Sequence, residues 1–545
     1  MAPLPLPRLQ LPPSRFVVFL IGLAFVAPGL VGHDPWRAFD VVSIEIAHQM
    51  QATGDWIVPR LGGEPYLEDP PLYHWIGLAF GKGLGGLLGF HNAVRIASGM
   101  AMLAALYFSY LAARHWTPAD APLAERRAYG GSATLLIAGS LGLMVHAHEA
   151  VPDLATLAAF CAALWFLVNA TRTPGKAGAG FGLALGAAFL STGPLVPAVL
   201  GAVTLAAHLV CDEWRTRRAL PFLGAALAIF AAVALPWPLA LATRSPELAQ
   251  AWWQLATEPR DTFGANLRYY IVTASWFAWP AWPLAFWSAW TLRRDWRRPR
   301  VFVPAAATLL TLAGVAWLGP QQDINVILLL APLALLGAGG VMRLRRGAAN
   351  ALDWFGVMTF SFFGALIWLG YVSMMTGSPA RIAKNFFRSA PGFEAEFQAL
   401  PFATALALAL AWLYLAFFTA RAPSRGVTRW AAGIALLWGS FATLWMPWAD
   451  HIKSYRNVAL QLKAAMPAGA GCIAQREVGA PQRAALSYHA DIRLEPGPGD
   501  RCRLLLVQGQ PKNEVSPGPG WRKLAEVGRP ADRGERYRLY RLQGK

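Results

Sequence analysis

The chain has 545 residues, 55% of them hydrophobic and 14% charged, with 48 Lys and Arg against 30 Asp and Glu. A mean hydropathy of +0.37 over that length excludes an ordinary soluble globular protein. The net charge of +18 could suggest nucleic acid, but the arginines lie in short clusters between apolar runs, which excludes a nucleic-acid patch.

In chain order, apolar runs near 16–32, 94–113, 130–147, 152–170, 179–193, 194–211, 221–241, 270–292, 302–319, 324–342, 354–375, 400–419 and 428–446 are long enough to cross a bilayer as helices. The reading is an α-helical integral membrane protein with about 13 transmembrane helices. The alternating segments of about ten residues that mark a membrane barrel are not evident in the sequence. Arg8 and Arg15 precede the first run, and no small-x-small cleavage site follows Val31, so that run reads as a retained anchor.

Basic clusters recur in every second loop: Arg114/Arg126/Arg127, Arg172/Lys176, Arg215/Arg217/Arg218, Arg293–Arg300, Arg343/Arg345/Arg346 and Arg421/Arg425/Arg429. By the positive-inside rule they and the N-terminus are cytoplasmic. The loop 376–399, with Arg381, Lys384 and Arg388 beside Glu394 and Glu396, runs against the pattern. Residues 179–211 would make one helix of about 50 Å, too long for a single crossing. They must go out and return, and Ser191-Thr192-Gly193-Pro194 is the natural break.

Four regions then face outward: 33–93, the turn at His146–Asp153, 242–269 and the tail after Trp448. The expected division is a transmembrane domain over 1–449, whose first outer loop (33–93) carries interfacial helices, and an outer domain over 450–545. Within the tail, a helix-like stretch at 454–466 and strand-like runs at 471–475, 501–508 and 536–542 predict a small α/β domain. Cys472 and Cys502 fall near strand starts and could pair in an oxidising compartment, whereas Cys161 and Cys211 lie in or near spans.

The first loop concentrates chemistry. Asp40, Glu45, Asp55, Arg60, Glu64, Glu68 and Asp69 crowd one membrane edge in a chain otherwise poor in charge. With Glu149, Asp153 and Asp323 they share the outer depth. Asp40, Asp153 and Glu68 are the carboxylates chosen for catalytic or acceptor-orienting work, where a carboxylate can serve as general base. Glu45, on an amphipathic helix, reads as structural. A lipid phosphate needs cations, and Arg60, Arg268, Arg95 and Lys82 are the outer-side candidates. Metal signals are weak: His146-x-His148-Glu149, and His74 near Glu68, lack any HExxH or CxxC spacing. The expectation is no cofactor, with a divalent metal as the alternative. No GxGxxG or Walker loop supports soluble nucleotide chemistry.

Trp36, the Glu45-Ile46-Ala47 step, Gly54-Asp55-Trp56-Ile57-Val58-Pro59-Arg60-Leu61 and Gly63-Glu64-Pro65-Tyr66-Leu67-Glu68-Asp69-Pro70-Pro71-Leu72-Tyr73 form one signature. It resembles that of the GT-C membrane glycosyltransferases, closest to the lipid A aminoarabinose (4-amino-4-deoxy-L-arabinose) transferases and the protein O-mannosyltransferases. Weaker echoes are Arg95, Pro152-Asp153, Ser191-Thr192-Gly193-Pro194 and Ala331-Pro332-Leu333-Ala334-Leu335. The resemblance implies transfer of a sugar from a polyprenyl-phosphate donor to lipid A or another envelope acceptor, at the periplasmic face of a bacterial inner membrane. Four positions depart from the family pattern. Phe39-Asp40 replaces Asp-Glu, Asp69 replaces a lysine thought to meet the donor phosphate, Thr192 replaces a second lysine, and Asn325 stands near a tyrosine. A non-catalytic relative that binds a polyprenyl lipid and assists glycan assembly is the alternative, with a transporter third.

Overall fold

The computed structural model describes residues 14–36, 38–117, 120–467, 471–495, 502–512, 514, 516–530, 532 and 534–543. Arg8 and the rest of the predicted leading segment before Ser14 lie outside the described residues.

Among the described residues, six helices are long and apolar enough to cross a membrane: Phe90–Trp116, Ala219–Arg244, Pro299–Leu318, Asp323–Met342, Arg346–Thr376 and Ala399–Phe418. Arg15–Val26, Pro152–Val168 and Leu195–Val210 are apolar but shorter. Two of the remaining expected spans are broken by residues that interrupt a helix, whereas 179–193 lies within Pro174–Thr192 and 428–446 continues from Arg425–Ser440 through a π turn at Phe441–Trp445. The run at 130–147 stops at Ala138, before Gly139, and restarts as the short turn Leu143–His146. The run at 270–292 divides into Phe263–Phe277 and Ala281–Thr291, with Pro280 between them. The break expected within 191–194 falls at Gly193, whose φ of +91° a Cβ would strain.

Small residues bring two helices together. Pro174–Thr192 lies against Ala219–Ala234 with Gly178, Gly182 and Gly186 spaced four apart along its contact face. A Cβ on Gly178 would sit 2.2 Å from the Phe222 carbonyl oxygen, and one on Gly182 would sit 2.3 Å from that of Ala226. This is the small-xxx-small packing by which helices associate in lipid, where apolar burial alone gives no preference.

The first loop folds as Ala38–Thr53, a two-stranded ribbon of β1 (Arg60–Leu61) and β2 (Glu64–Pro65), and Leu72–Leu88. Gly62 and Gly63 form the ribbon's two-residue turn with φ of +59° and +96°, the positive pair that a tight hairpin requires.

The tail is a four-stranded sheet of β3 (Ile473–Arg476), β4 (Leu504–Gly509), β5 (Trp521–Val527) and β6 (Arg536–Leu542), in the order β3-β4-β6-β5. β3 and β4 run parallel, and the other pairs antiparallel. β5 is the strand the sequence reading missed. It is a largely exposed edge, so WRKLAEV carries no inward alternation. Cys472 and Cys502, at the starts of the paired β3 and β4, are disulfide-bonded, with Cα atoms 5.2 Å apart. Cys161 and Cys211 are free and buried. The helix Met446–Lys453 runs through the boundary expected at 449/450.

The sheet unit is fastened to the first loop. Ser487 on Ala480–Ala490 donates to buried Glu45 at 2.5 Å, and Arg483 meets Glu64 at 2.8 Å. Glu45 is thus structural, as its helix suggested.

Replacing Gly182 by Ala forces the two helix backbones apart. The expected cost is about 1–3 kcal/mol, read as a lower Tm of the detergent-solubilised protein, whereas Gly175→Ala, with open space around it, leaves Tm unchanged.

Candidate active site

A cavity of about 390 Å³ opens where the first loop, the start of Pro152–Val168, the Gly193 break and the 258–262 loop converge. Its wall carries Glu68, Asp69, Asp153, Tyr66, Thr192, Asn325 and Arg260, and Ala480 and Pro481 of the sheet unit close one side.

Local sequence places each group. Pro152 occupies the first helical turn, where its missing N–H costs nothing, and Asp153 follows it at the helix's positive end. The ribbon sends Tyr66 back along the loop, its N–H bonding the Pro59 carbonyl at 2.8 Å. Its hydroxyl donates to Asp69 at 3.1 Å. Pro70 and Pro71 then end the loop, leaving Glu68 and Asp69 at the cavity.

Burial, together with the charges of Asp153 and Glu68, pushes the Asp69 carboxyl up to about 8, against the opposing pull of Tyr66 and Arg260. At neutral pH Asp69 therefore holds its proton and can donate a hydrogen bond. The position where the resemblance expects a lysine is occupied by a neutral acid.

The other departures are absorbed by neighbours. Thr192 shares a 3.0 Å hydroxyl contact with Thr156. Asn325 donates to the Tyr270 hydroxyl at 2.9 Å, so a phenol still stands beside position 325. Phe39 lines the cavity and packs edge-on against His146, with ring centroids 6.3 Å apart. His146 in turn lies between Glu149 at 2.7 Å and Asp323 at 3.5 Å. Burial alone would lower the imidazolium, but the two carboxylates outweigh it and raise it to about 9.

Several predicted site residues belong elsewhere. Asp40 is buried away from the cavity wall, 2.6 Å from Arg95, and accepts the Ala150 N–H at 2.8 Å. Arg95 spends its five N–H groups on Asp40, Asn92 and the His33 and Asp34 carbonyls, leaving none for a phosphate. Arg60 serves its own ribbon through Gly63 and Asp55. Lys82 lies over the Trp56 ring at 5.3 Å. Arg268 is exposed and outside the cavity lining. The cation in the wall is Arg260, which the sequence reading passed over because Arg268, beside two tyrosines, looked more like the mouth of a span.

The His146-x-His148-Glu149 group does not converge either. His148 turns away, bonds the Phe25 carbonyl at 2.6 Å and stacks on Trp438. His74 is fully buried and lies outside the cavity lining. Among the described residues, the cluster with metal-ligand spacing is Cys472, Glu495 and Cys502, and its two sulfurs are bonded to each other.

Burial works against the Asp40 anion, but Arg95 overrides it and holds the carboxyl below the usual range. A depressed carboxylate stabilises the fold above its unfolded pKa, and that stability is lost as pH falls through the folded value. Asp40→Asn is expected to remove about 3–5 kcal/mol by leaving Arg95 buried and unpaired, seen as a lower Tm at neutral pH. An unchanged Tm with transfer lost would return Asp40 to catalysis.

No family model matches the chain. It is 28% identical over 340 residues to the undecaprenyl phosphate-α-4-amino-4-deoxy-L-arabinose arabinosyl transferase of Serratia proteamaculans, covering 59% of this chain and 58% of that one. With the same transferase of Pseudomonas aeruginosa UCBPP-PA14 it shares 30% over 382 residues, 66% of this chain and 65% of the other. The chain spans roughly two to three fifths of the length of the first curated relatives it matches. The crystal structure of ArnT from Cupriavidus metallidurans bound to undecaprenyl phosphate superposes with a TM-score of 0.68 at 17% identity, covering 96% of each chain. The signature in the first loop is therefore matched by the rest of the molecule: the chain has a GT-C fold and is similar in sequence to the undecaprenyl phosphate-α-4-amino-4-deoxy-L-arabinose arabinosyl transferases.

Proposed function

We propose that the chain is a GT-C glycosyltransferase that takes a sugar from a polyprenyl-phosphate donor and passes it to lipid A or another envelope acceptor. The observation that carries this reading is the cavity itself, in which Asp153, Glu68 and a protonated Asp69 face one arginine among the described residues. An acceptor oxygen attacks the anomeric carbon, its proton passes to Asp153, and the carbon–oxygen bond to the polyprenyl phosphate breaks. Arg260 neutralises the departing phosphate, and Asp69 hydrogen-bonds it. Glu68 supports the sugar. The relatives' donor carries an amino sugar, and a carboxylate-rich wall suits an ammonium group on the substrate. The reading places the protein in the inner membrane, with its N-terminus cytoplasmic and its sheet unit periplasmic.

Phe39 at the cavity wall, where the resemblance expects an acid, favours the second reading of a non-catalytic relative that binds the polyprenyl lipid. A transfer assay with radiolabelled polyprenyl-phosphate sugars and total envelope lipid separates the two. Arg260→Ala and Asp153→Asn are each expected to lose about tenfold to a hundredfold in kcat/KM, while Arg268→Ala stays near wild type. Binding of polyprenyl phosphate with no donor consumed would establish the accessory reading.

Asp69 also sets a pH dependence. A carboxyl raised to about 8 is protonated below that pH and charged above it, so affinity for the anionic lipid should fall as pH passes 8. Asp69→Asn should bind with a flat profile between pH 6 and 9. A flat wild-type profile would remove Asp69 from the phosphate.

A further inference from the structure

At the opposite end of the helices lies a second cavity, of about 320 Å³. Pro152–Val168 joins the two: Asp153 in its first turn walls the first and Val168 at its end walls the second, roughly 23 Å away at 1.5 Å per residue. Arg172, Arg298 and Arg300 line the second cavity against one acid, Glu213, with Trp116 and Trp214 beside them.

The positive-inside pattern explains why basic residues gather at this end. It does not explain a cavity among them, nor their incomplete neutralisation. Asp295 is shared between Arg298, at 3.3 Å, and Arg300, at 3.2 Å. Arg172 is exposed at the rim. Arg218 reaches the Thr171 carbonyl at 2.7 Å and adds a further cation beside the opening. The Arg300 Nε is buried with no hydrogen-bond partner in the protein. A buried donor without a partner is an unmet demand for an oxygen acceptor, and Arg300 is among the residues that line this cavity.

A narrow cleft of about 40 Å³ continues inward past Trp116 and Arg300 to Leu292, Leu335 and Leu336. The Ser288 hydroxyl in its wall is likewise buried and unpartnered. A basic mouth flanked by tryptophans, leading to a cleft that mixes leucines with Tyr129, Ser288 and Arg343, is the form of a headgroup site between membrane helices.

We infer that the Arg172/Arg298/Arg300 cavity binds a phosphate-bearing anion, supplied by an anionic phospholipid headgroup or by free phosphate. Arginine forks meet two phosphate oxygens at once, and Arg300 keeps one N–H uncommitted within the protein. The inference does not depend on the transfer reaction, because the two cavities share no residue.

The test uses the full-length protein, delipidated in detergent. Its Tm is followed while phosphatidylglycerol, phosphatidylcholine or inorganic phosphate is titrated at constant ionic strength. Phosphatidylglycerol is expected to raise Tm, and Arg172→Ala should need about tenfold more lipid for the same shift. Arg172 is exposed, so its removal does not threaten the fold, and Arg300→Lys provides a second variant that keeps the charge but loses the fork. Arg421→Ala, in a separate basic cluster, should titrate like wild type. Protection by inorganic phosphate that matches the lipid, and is weakened by Arg172→Ala, would assign the site to free phosphate. Equal protection by phosphatidylcholine, or variants indistinguishable from wild type, would overturn the inference.

Discussion

A buried guanidinium cannot leave an N–H unpaired at low cost, and Arg95 is fully enclosed. Meeting that demand draws together groups far apart in the chain. Asp40 comes from the first loop, the His33 and Asp34 carbonyls from the end of the first apolar run, and Asn92 from one turn earlier on its own helix. Asp40 then accepts the Ala150 N–H, so the turn before Pro152 is pinned by the same pair. Asp34 continues the linkage by accepting from Ser454 and Arg456, which seats the tail. The cavity is the space left where these pinned segments meet, and Asp153 lies three residues beyond the one Asp40 holds.

That arrangement separates two uses of acidic side chains. Asp40 is charged because Arg95 compensates it, and it is thereby removed from chemistry. Asp69 is buried beside two carboxylates, which outweigh the Tyr66 phenol and Arg260, so it keeps its proton. The proposed donor would gain from this difference, since a neutral acid donates a hydrogen bond where a carboxylate would repel phosphate. The proximity of Asp69 to Asp153 and Glu68 is a local instability that the fold retains, and such retained costs mark functional positions more often than structural ones.

The sequence made legible the membrane class, the break near Gly193, the tail sheet and two of the three carboxylates chosen for catalysis, Glu68 and Asp153, which both reach the cavity. Each rests on a local signal: apolar length, a glycine before a proline, short β-branched or aromatic runs, a carboxylate following a helix-starting proline. Arg95 and Asp40 misled because an ionisable group near a bilayer reads as functional, and nothing local shows that two such groups 55 residues apart satisfy each other. Arg260 was invisible for the converse reason. Its value comes from a loop folding over the cavity, and no pattern in EPRD distinguishes it from a solvated turn. The edge strand β5 lacked a clean alternation because most of it is exposed and its register shifts between Lys523 and Ala525.

The departures from the family signature also make more sense together than singly. Taking position 39 as an acid and positions 69 and 192 as lysines, the expected set carries one net positive charge. Phe39, a protonated Asp69 and Thr192 carry none, and Arg260 from a separate loop restores that one charge. Each replacement has a partner that suits it: an imidazolium edge for Phe39, a phenol for Asp69 and a hydroxyl for Thr192. If the cavity holds the donor phosphate as proposed, the charge that meets it comes from the 258–262 loop rather than from the first loop or the Gly193 break.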